Sequence, residues 1–102
     1  MDFKLIWTES AADDLGAIVR YISTESSAEI GRKIGFGIYD RVQILETFPE
    51  SGSTLPEKND FRWRKLIYRS WKIAYRIDFD FHIVYIARIW HASQDEIELP
   101  EP

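Results

Sequence analysis

The chain has 102 residues, a formal net charge of −4 and no cysteine, and 45% of its residues are hydrophobic. This length and composition predict one folded domain, residues 1–102. The lack of cysteine excludes disulfides and thiolate metal sites, and two histidines are too few for a recognisable zinc site, so we expect no metal and no cofactor. The N-terminus lacks the regions of a secretory signal, and the longest apolar run, residues 83–87, is far too short to span a membrane. We therefore expect a cytoplasmic protein without a membrane partner.

Hydrophobic spacing predicts a strand and two helices in the first half of the chain. The stretch "FKLIWT" alternates as a short strand does. In "TESAADDLGAIVRYIS" the apolar residues recur three and four positions apart, which indicates a helix with Thr8 as its N-cap. A second helix is predicted to begin at Ser26, with Glu29 in capping-box spacing, and to end at "FPESGS". Glycines 31, 35 and 37 inside it indicate a close approach of the first helix.

Three alternating segments follow, "RWRKLIY", "WKIAYRID" and "FHIVYIARIW", and short turns between them predict an antiparallel meander. In the second segment, Trp71, Ile73, Tyr75 and Ile77 are predicted to face one way and Lys72, Ala74 and Arg76 the other. The third segment is apolar on both faces, which is typical of a central strand. The order β-α-α-β-β-β is an α+β fold in which a helical hairpin packs on a small antiparallel sheet. Residues 93–102 form an acidic tail that we expect to be loosely ordered.

Charge is unevenly distributed along the chain. Residues 58–76 contain seven basic residues and one acidic residue, whereas residues 77–102 contain six acidic residues and one basic residue. A basic segment is where an acidic or nucleic-acid partner would dock, but such charges also line the solvent face of ordinary strand pairs. Both interpretations remain open from charge alone.

Several stretches carry a family resemblance when they are taken together. "IWTESAADDLGAIVRYI" is a strand running into an isoleucine-rich helix, "LETFPESG" ends a helix, and "WRKLIYRSWKIAYRID" forms a basic hairpin. The combination of "ILETFPESG", "AYRI" and "ARIWHASQD" is much more specific than any one of these alone. In these features the chain resembles the ParE/RelE superfamily of bacterial toxin–antitoxin toxins, and the ParE-like plasmid stabilisation branch most closely.

The resemblance implies a small cytoplasmic toxin, a single toxin domain encoded beside a labile antitoxin. Such an antitoxin neutralises the toxin by folding a disordered segment over its groove and sheet. ParE-like members are associated with poisoning DNA gyrase and have no known hydrolytic chemistry, whereas RelE-like members cleave mRNA on the ribosome. The implied partners are an antitoxin and DNA gyrase, with a dimer or a toxin–antitoxin hetero-oligomer as the assembly.

The RelE-like alternative requires groups that move protons and stabilise charge at a phosphate. The resemblance would give these roles to Lys65, Lys72, Arg76 and His91, with Lys72 at the position of a catalytic arginine in RelE-like members. After the last strand, however, RelE-like members carry a basic pair and a tyrosine, and this chain has His91, Ala92 and an acidic segment. Carboxylates there would repel a phosphate. We therefore expect action by binding rather than by catalysis.

Binding would use the basic hairpin between residues 62 and 76 and the "RIWH" stretch. The candidate contact residues are Arg62, Arg64, Lys65, Lys72, Arg76, Arg88, Trp90 and His91. A third hypothesis, from a different class, is a degenerate toxin fold retained only as an interaction module.

Individual side chains have structural explanations that compete with functional ones. Strand alternation puts His91 on one face with residues 83, 85, 87 and 89, where it either bonds the backbone at a corner, the favoured interpretation, or lines a site with Arg76. Trp63 and Trp71 would suit nucleic-acid stacking, but strand tryptophans more often pack in a core or against a protein. Adjacent Asp13 and Asp14 point in different directions on a helix, so both are expected to be solvated.

Overall fold

The computed structural model describes residues 2–94 and Leu99. In this part of the chain two helices pack on one sheet, which confirms the predicted α+β fold. The helices are α1 (Glu9–Glu25) and α2 (Ala28–Val42), and a short 3₁₀ turn (Gln43–Glu46) extends the second. The strands are β1 (Lys4–Trp7), β2 (Ser53–Thr54), β3 (Trp63–Tyr68), β4 (Trp71–Asp78) and β5 (Ile83–His91). Their order in the sheet is β1-β5-β4-β3-β2.

The sheet is mixed, so the predicted antiparallel pairing is right for the meander and wrong for β1. Strands β3, β4 and β5 form the predicted antiparallel meander. Strand β1 pairs in parallel with β5, with Lys4 opposite Ile83 and Trp7 opposite Ile86. This pairing makes β5 a central strand, as its apolar character on both faces predicted. The two-residue β2 was not predicted, because it is too short to show alternation.

Thr8 begins α1 as predicted. Its Oγ1 accepts a hydrogen bond from the N–H of Ala11 at 3.2 Å and donates to the carbonyl of Ile86 at 2.8 Å. One hydroxyl therefore caps the helix and fastens its first turn to the central strand.

The second helix begins one residue later than predicted. Its N-cap is Ser27, whose Oγ accepts from the N–H of Ile30 at 3.1 Å. Ser26 instead ends α1, since its N–H donates to the carbonyl of Ile22 at 2.8 Å. With the cap at Ser27, Glu29 does not stand at capping-box spacing.

The predicted close approach of the helices explains two of the three glycines of α2. A Cβ atom at Gly35 would lie 2.6 Å from Cγ2 of Val19, and one at Gly31 would meet the side chain of Ser23. Gly37 faces the sheet instead, where a Cβ atom would meet the ring and hydroxyl of Tyr68. The prediction is therefore right for Gly31 and Gly35 and wrong for Gly37.

The main core lies between the helices and one face of the sheet, which we call the helix-covered face; the other is the open face. The largest fully buried side chains of this core are Ile38, Val42, Leu45, Ile73, Tyr75, Ile77, Val84 and Ile86. Burial of a large aliphatic or aromatic side chain stabilises a fold by roughly 1.5–3 kcal/mol. The predicted alternation of β4 is confirmed, because Ile73, Tyr75 and Ile77 all belong to this core.

Tyr75 joins the sheet to the "FPESGS" segment. Its hydroxyl donates to the carbonyl of Pro49 at 2.7 Å and accepts from the N–H of Gly52 at 2.9 Å. A Cβ atom at Gly52 would lie 2.5 Å from this hydroxyl, so the approach requires glycine. Burial raises the pKa of Tyr75 above its ordinary value of 10.0.

A bulge interrupts β5 near its C-terminal end. Tyr75 lies opposite Ile86, and the next pair is Ala74 with Arg88, so Ala87 has no counterpart on β4. One extra residue reverses the alternation of side chains beyond it. The residues after Ala87 therefore face the opposite way from the simple alternation used in the sequence prediction.

Candidate interaction surface

The open face brings together three of the predicted site residues. Strand β4 directs Lys72, Ala74 and Arg76 to this face, because the residues between them belong to the helix-covered core. The register with β3 places Ala74 opposite Lys65, on the same face. Lys65, Lys72 and Arg76 are each partly exposed there. The open face is therefore cationic.

A small apolar cluster forms the floor of the open face, and we call it the open-face cluster. Its members are buried Leu55, Trp63, Ala74 and Ala87, with partly buried Trp90 and Leu99 packed against them. Trp63 is thus a core residue, as expected, while Trp71 packs partly buried on the other side of the sheet. The predicted contact residue Trp90 lies at this cluster. The surface therefore combines positive charge with an apolar floor.

Cationic side chains lie over two aromatic rings of the open face. The ammonium of Lys58 lies 4.5 Å from the ring centroid of Trp63. The guanidinium carbon of Arg76 lies 5.5 Å from the ring centroid of Tyr85. Lys65 and Lys72 line one concavity of about 340 Å³ together with Leu55, Glu57, Trp90 and Gln94. Such an arrangement can bind an acidic segment that also offers an aliphatic side chain.

Arg62 and Arg64 are held in local contacts. The guanidinium and the backbone N–H of Arg62 both donate to the carboxylate of Asp60, with Nη2 2.8 Å from Oδ2. These hydrogen bonds lower the pKa of Asp60 from 3.8 to about 2. Arg64 donates to the carbonyls of Glu50 and Gly52 at 3.2 and 3.0 Å, and only 14% of its side chain is exposed. The hydrogen bonds of these two arginines thus stabilise the neighbouring loops, although their positive charges still add to the field of the surface.

Arg88 is paired with α1. Its Nε and Nη2 lie 2.6 and 3.1 Å from the two carboxylate oxygens of Asp14, and the N–H of Ile89 donates to the same carboxylate at 2.9 Å. The hydrogen bonds that Arg88 donates to Asp14 raise the pKa of Arg88. The expectation that Asp14 is a solvated carboxylate is therefore wrong, whereas Asp13 is exposed as predicted. Sequence spacing gave no signal of this pair, since its partners are 74 residues apart.

His91 lies on the helix-covered side of the sheet, and the bulge at Ala87 is the reason. Its ring packs edge-on against Trp71, a residue that packs on the helix-covered core, with 5.0 Å between ring centroids. The expectation that His91 shares a face with residues 83, 85 and 87 is therefore wrong. His91 is also separated from Lys65 and Lys72, which stand on the open face.

The contacts of His91 close the turn that ends β5. Its backbone N–H donates to Gln94 Oε1 at 2.9 Å, and its ring Nδ1 accepts from the backbone N–H of Ser93 at 3.1 Å. The Oγ of Ser93 is also 2.6 Å from Nδ1. These are the corner contacts that the favoured structural interpretation of His91 predicted.

Tyr85 is the open-face residue that sequence reasoning did not select. It stands opposite Arg76 in the β4–β5 register, between Val84 and Ile86 of the helix-covered core. Its phenol is the kind of group that the ribonuclease hypothesis required after the last strand. The signal that could have found it is the strict alternation of β5 before the bulge.

The described part of the chain has neither a cluster of metal-binding side chains nor a helix that could cross a membrane. Among residues 2–94 and Leu99, no group of three or more histidine, cysteine, aspartate or glutamate side chains is placed to hold a metal ion. No helix in the same residues is long and apolar enough to cross a membrane. Most of the predicted acidic tail, residues 93–102, lies outside the described residues.

Known proteins were compared with the chain by sequence and by structure. A family model described as the ParE toxin of the type II toxin–antitoxin system, parDE, matches residues 5–96. A structure of the chromosomal ParDE toxin–antitoxin system from P. aeruginosa is similar over 89% of this chain and 97% of that chain, with 25% identity and a TM-score of 0.75. A search of curated protein sequences finds no match.

Two further structures show the same fold. A free-state mutant of the E. coli toxin RelE covers 91% of this chain and 86% of its own, with 14% identity and a TM-score of 0.67. The toxin–antitoxin complex RelBE2 from Mycobacterium tuberculosis covers 91% of this chain and 95% of its own, with 21% identity and a TM-score of 0.58. At these identities the likeness concerns the fold alone.

Proposed function

The chain belongs to the ParE toxin family of type II toxin–antitoxin systems, and on that premise we propose that it arrests growth by binding DNA gyrase in the cytoplasm. We further propose that a cognate antitoxin neutralises it by covering the open face. The observation that carries both proposals is the convergence of Lys65, Lys72 and Arg76 around an apolar floor that no helix covers among the described residues.

The chemistry of the open face favours an antitoxin segment that folds on binding. An apolar floor gives such a segment surface to bury, and the surrounding cations select acidic side chains and steer their approach. The similar P. aeruginosa structure is itself a toxin–antitoxin system, and the matching family is that of a toxin of such systems, which supports an antitoxin partner here. The toxin would then be held as a toxin–antitoxin hetero-oligomer until the antitoxin is lost.

Binding is favoured over catalysis because the residues of the ribonuclease hypothesis do not converge. Lys65, Lys72 and Arg76 share the open face, but His91 packs against Trp71 on the helix-covered side. Cations can stabilise a phosphate, yet RNA cleavage also needs groups that accept and donate protons. The proposed target contacts are therefore Lys65, Lys72, Arg76 and Trp90.

One observation keeps a ribonuclease as the second candidate. Tyr85 lies under Arg76 on the open face, so a phenol and three cations occur on one surface. A ribosome-dependent endoribonuclease of the RelE-like kind would have to use this set in place of His91. Its Tyr85→Phe variant would then lose toxicity while keeping its fold.

A supercoiling assay with purified gyrase tests the proposal. We expect the chain to inhibit supercoiling and the antitoxin encoded beside it to relieve the inhibition. The Lys65→Ala/Lys72→Ala variant should inhibit at least tenfold less well, while Arg32→Ala/Lys33→Ala, which removes two exposed charges from α2, should inhibit normally. Unchanged supercoiling at concentrations that stop translation in a bacterial extract would contradict the proposal and favour the ribonuclease.

A further inference from the structure

Leu99 lies on the open face of the sheet. Its side chain is partly buried against the open-face cluster. Its carbonyl accepts a hydrogen bond from Lys58 Nζ at 3.1 Å, and the same ammonium lies 4.5 Å from the ring centroid of Trp63. An aliphatic side chain from the C-terminal end of the chain is therefore seated on the surface that the proposed partners would use.

The sequence around Leu99 has the charge that this surface selects. Residues 95–102 read "DEIELPEP" and contain four acidic residues and no basic residue. The open face presents Lys65, Lys72 and Arg76, and Lys58 contacts Leu99 itself. Glu57 also lines the rim, so the positive field is reduced at that side. Leu99 thus packs at a cationic surface, and the sequence on either side of it carries the opposite charge.

We propose that the open-face cluster is a docking site for an acidic segment with an aliphatic anchor, and that the chain's own C-terminal segment occupies it through Leu99. A tethered segment acts at an effective concentration on the order of millimolar, so a separate segment of the same chemistry binds only by displacing Leu99. The concavity beside the cluster shares Leu55 and Trp90 with it, which gives an incoming segment a place to begin.

The proposal concerns contacts within this chain and holds whether the target is gyrase or the ribosome. Its consequence for neutralisation rests on the proposed function: the antitoxin would have to remove Leu99 before it covers the open face. Removing the anchor should then raise the affinity for the antitoxin without changing the target.

Nuclear magnetic resonance of the four tryptophan indole groups provides the test. Leu99→Ala in the full chain should shift the indole signals of Trp63 and Trp90, which line the open-face cluster, and leave those of Trp7 and Trp71 in place. A synthetic peptide of residues 95–102, added to this variant, should return the two shifted signals toward their wild-type positions. The same peptide with alanine at position 99 should not.

Two matched controls test the charge of Lys58 and the occupation of the cluster by Leu99. In the Leu99→Ala chain, Lys58→Gln should weaken peptide binding at least threefold, whereas Lys33→Gln on α2 should leave it unchanged. The wild-type chain should bind the peptide at least tenfold more weakly than the Leu99→Ala chain, because its own segment holds the site. If Leu99→Ala alters the fold, a chain ending at Gln94 serves in its place.

Two results would overturn the proposal. The first is identical indole signals for Trp63 and Trp90 with and without Leu99, which would mean that Leu99 does not occupy the cluster. The second is equal binding of the two peptides, or equal binding to the wild-type and Leu99→Ala chains. Neither measurement involves gyrase or an antitoxin, so failure here is distinguishable from failure of the proposed function.

Discussion

The two faces of β4 differ in what they do for the molecule. Ile73, Tyr75 and Ile77 are completely buried beneath the helices, whereas Lys72 and Arg76 alternate with them on the open face and remain partly exposed. Along β4, the odd-numbered residues therefore stabilise the fold, and the even-numbered residues form part of the proposed binding surface. Substitutions on one face should therefore lower the stability of the fold, and substitutions on the other should lower the affinity for a partner.

Truncating neighbouring residues of β4 should produce the largest contrast between the two faces. Ile73→Ala removes a completely buried side chain and should lower the free energy of unfolding by about 2–5 kcal/mol. Lys72→Ala should change it by less than about 0.5 kcal/mol but weaken partner binding. Urea denaturation of both variants measures this directly, and equal destabilisation would contradict the assignment of the two faces.

Removing the Tyr75 hydroxyl should have the next largest effect. Tyr75→Phe leaves the buried Gly52 N–H and Pro49 carbonyl without this partner, so we expect a loss of about 1–3 kcal/mol. Tyr39→Phe, at a half-exposed tyrosine, is the control and should stay within about 0.5 kcal/mol. Similar unfolding midpoints for the two variants would show that the hydroxyl contacts add nothing.

The same hydroxyl gives a pH dependence with a definite sign. Because the folded-state pKa of Tyr75 is raised, the unfolded chain ionises this group first as the pH rises past about 10. The stability difference between wild type and Tyr75→Phe should therefore be constant below pH 10 and shrink above it. A difference that grew above pH 10 would contradict the raised pKa.

Asp14 and Asp13 provide a comparison on one turn of α1. Asp14→Ala removes the carboxylate that accepts from Arg88 and from the N–H of Ile89, and it should destabilise the fold by about 1–2 kcal/mol. Asp13→Ala, at the exposed neighbour, should cost less than about 0.5 kcal/mol. Thermal unfolding measured at neutral pH separates the two. Equal effects would mean that the ion pair is without energetic consequence.

The smallest expected effect belongs to Asp60. Its pair with Arg62 is substantially exposed, so Asp60→Asn should cost less than about 1 kcal/mol at pH 7. The folded-state pKa of Asp60 is lowered to about 2, so the contribution is complete above pH 3.8 and is lost as the pH falls toward 2. Acid titration of wild type and variant should show their stabilities converging in that window; convergence at higher pH would contradict the lowered pKa.

The fold was predictable where periodicity is strong and local. Thr8, the alternation of β4 and the central position of β5 were all foreseen from residue spacing. The parallel pairing of β1 was not, because it depends on which sheet edge remains free after the helices pack. The shift of the second N-cap from Ser26 to Ser27 reflects two adjacent serines that are equally able to cap.

The site was predictable in residue type but not in placement. Lys65, Lys72 and Arg76 converge because strand parity, which the sequence displays, puts them on one face. His91 was misplaced because a one-residue bulge at Ala87 leaves no mark in the hydrophobic pattern. The Arg88–Asp14 pair joins residues 74 positions apart, and the packing of Leu99 against the open-face cluster also depends on the folded chain.

Pulse-labelling of DNA and protein synthesis in bacteria, immediately after the chain is induced alone, distinguishes gyrase from the ribosome as the target. We predict that DNA synthesis falls first while translation continues, and that Lys65→Ala/Lys72→Ala loses this effect whereas His91→Ala retains it. If translation falls first, the open face acts on the ribosome rather than on gyrase, and the proposed function is wrong.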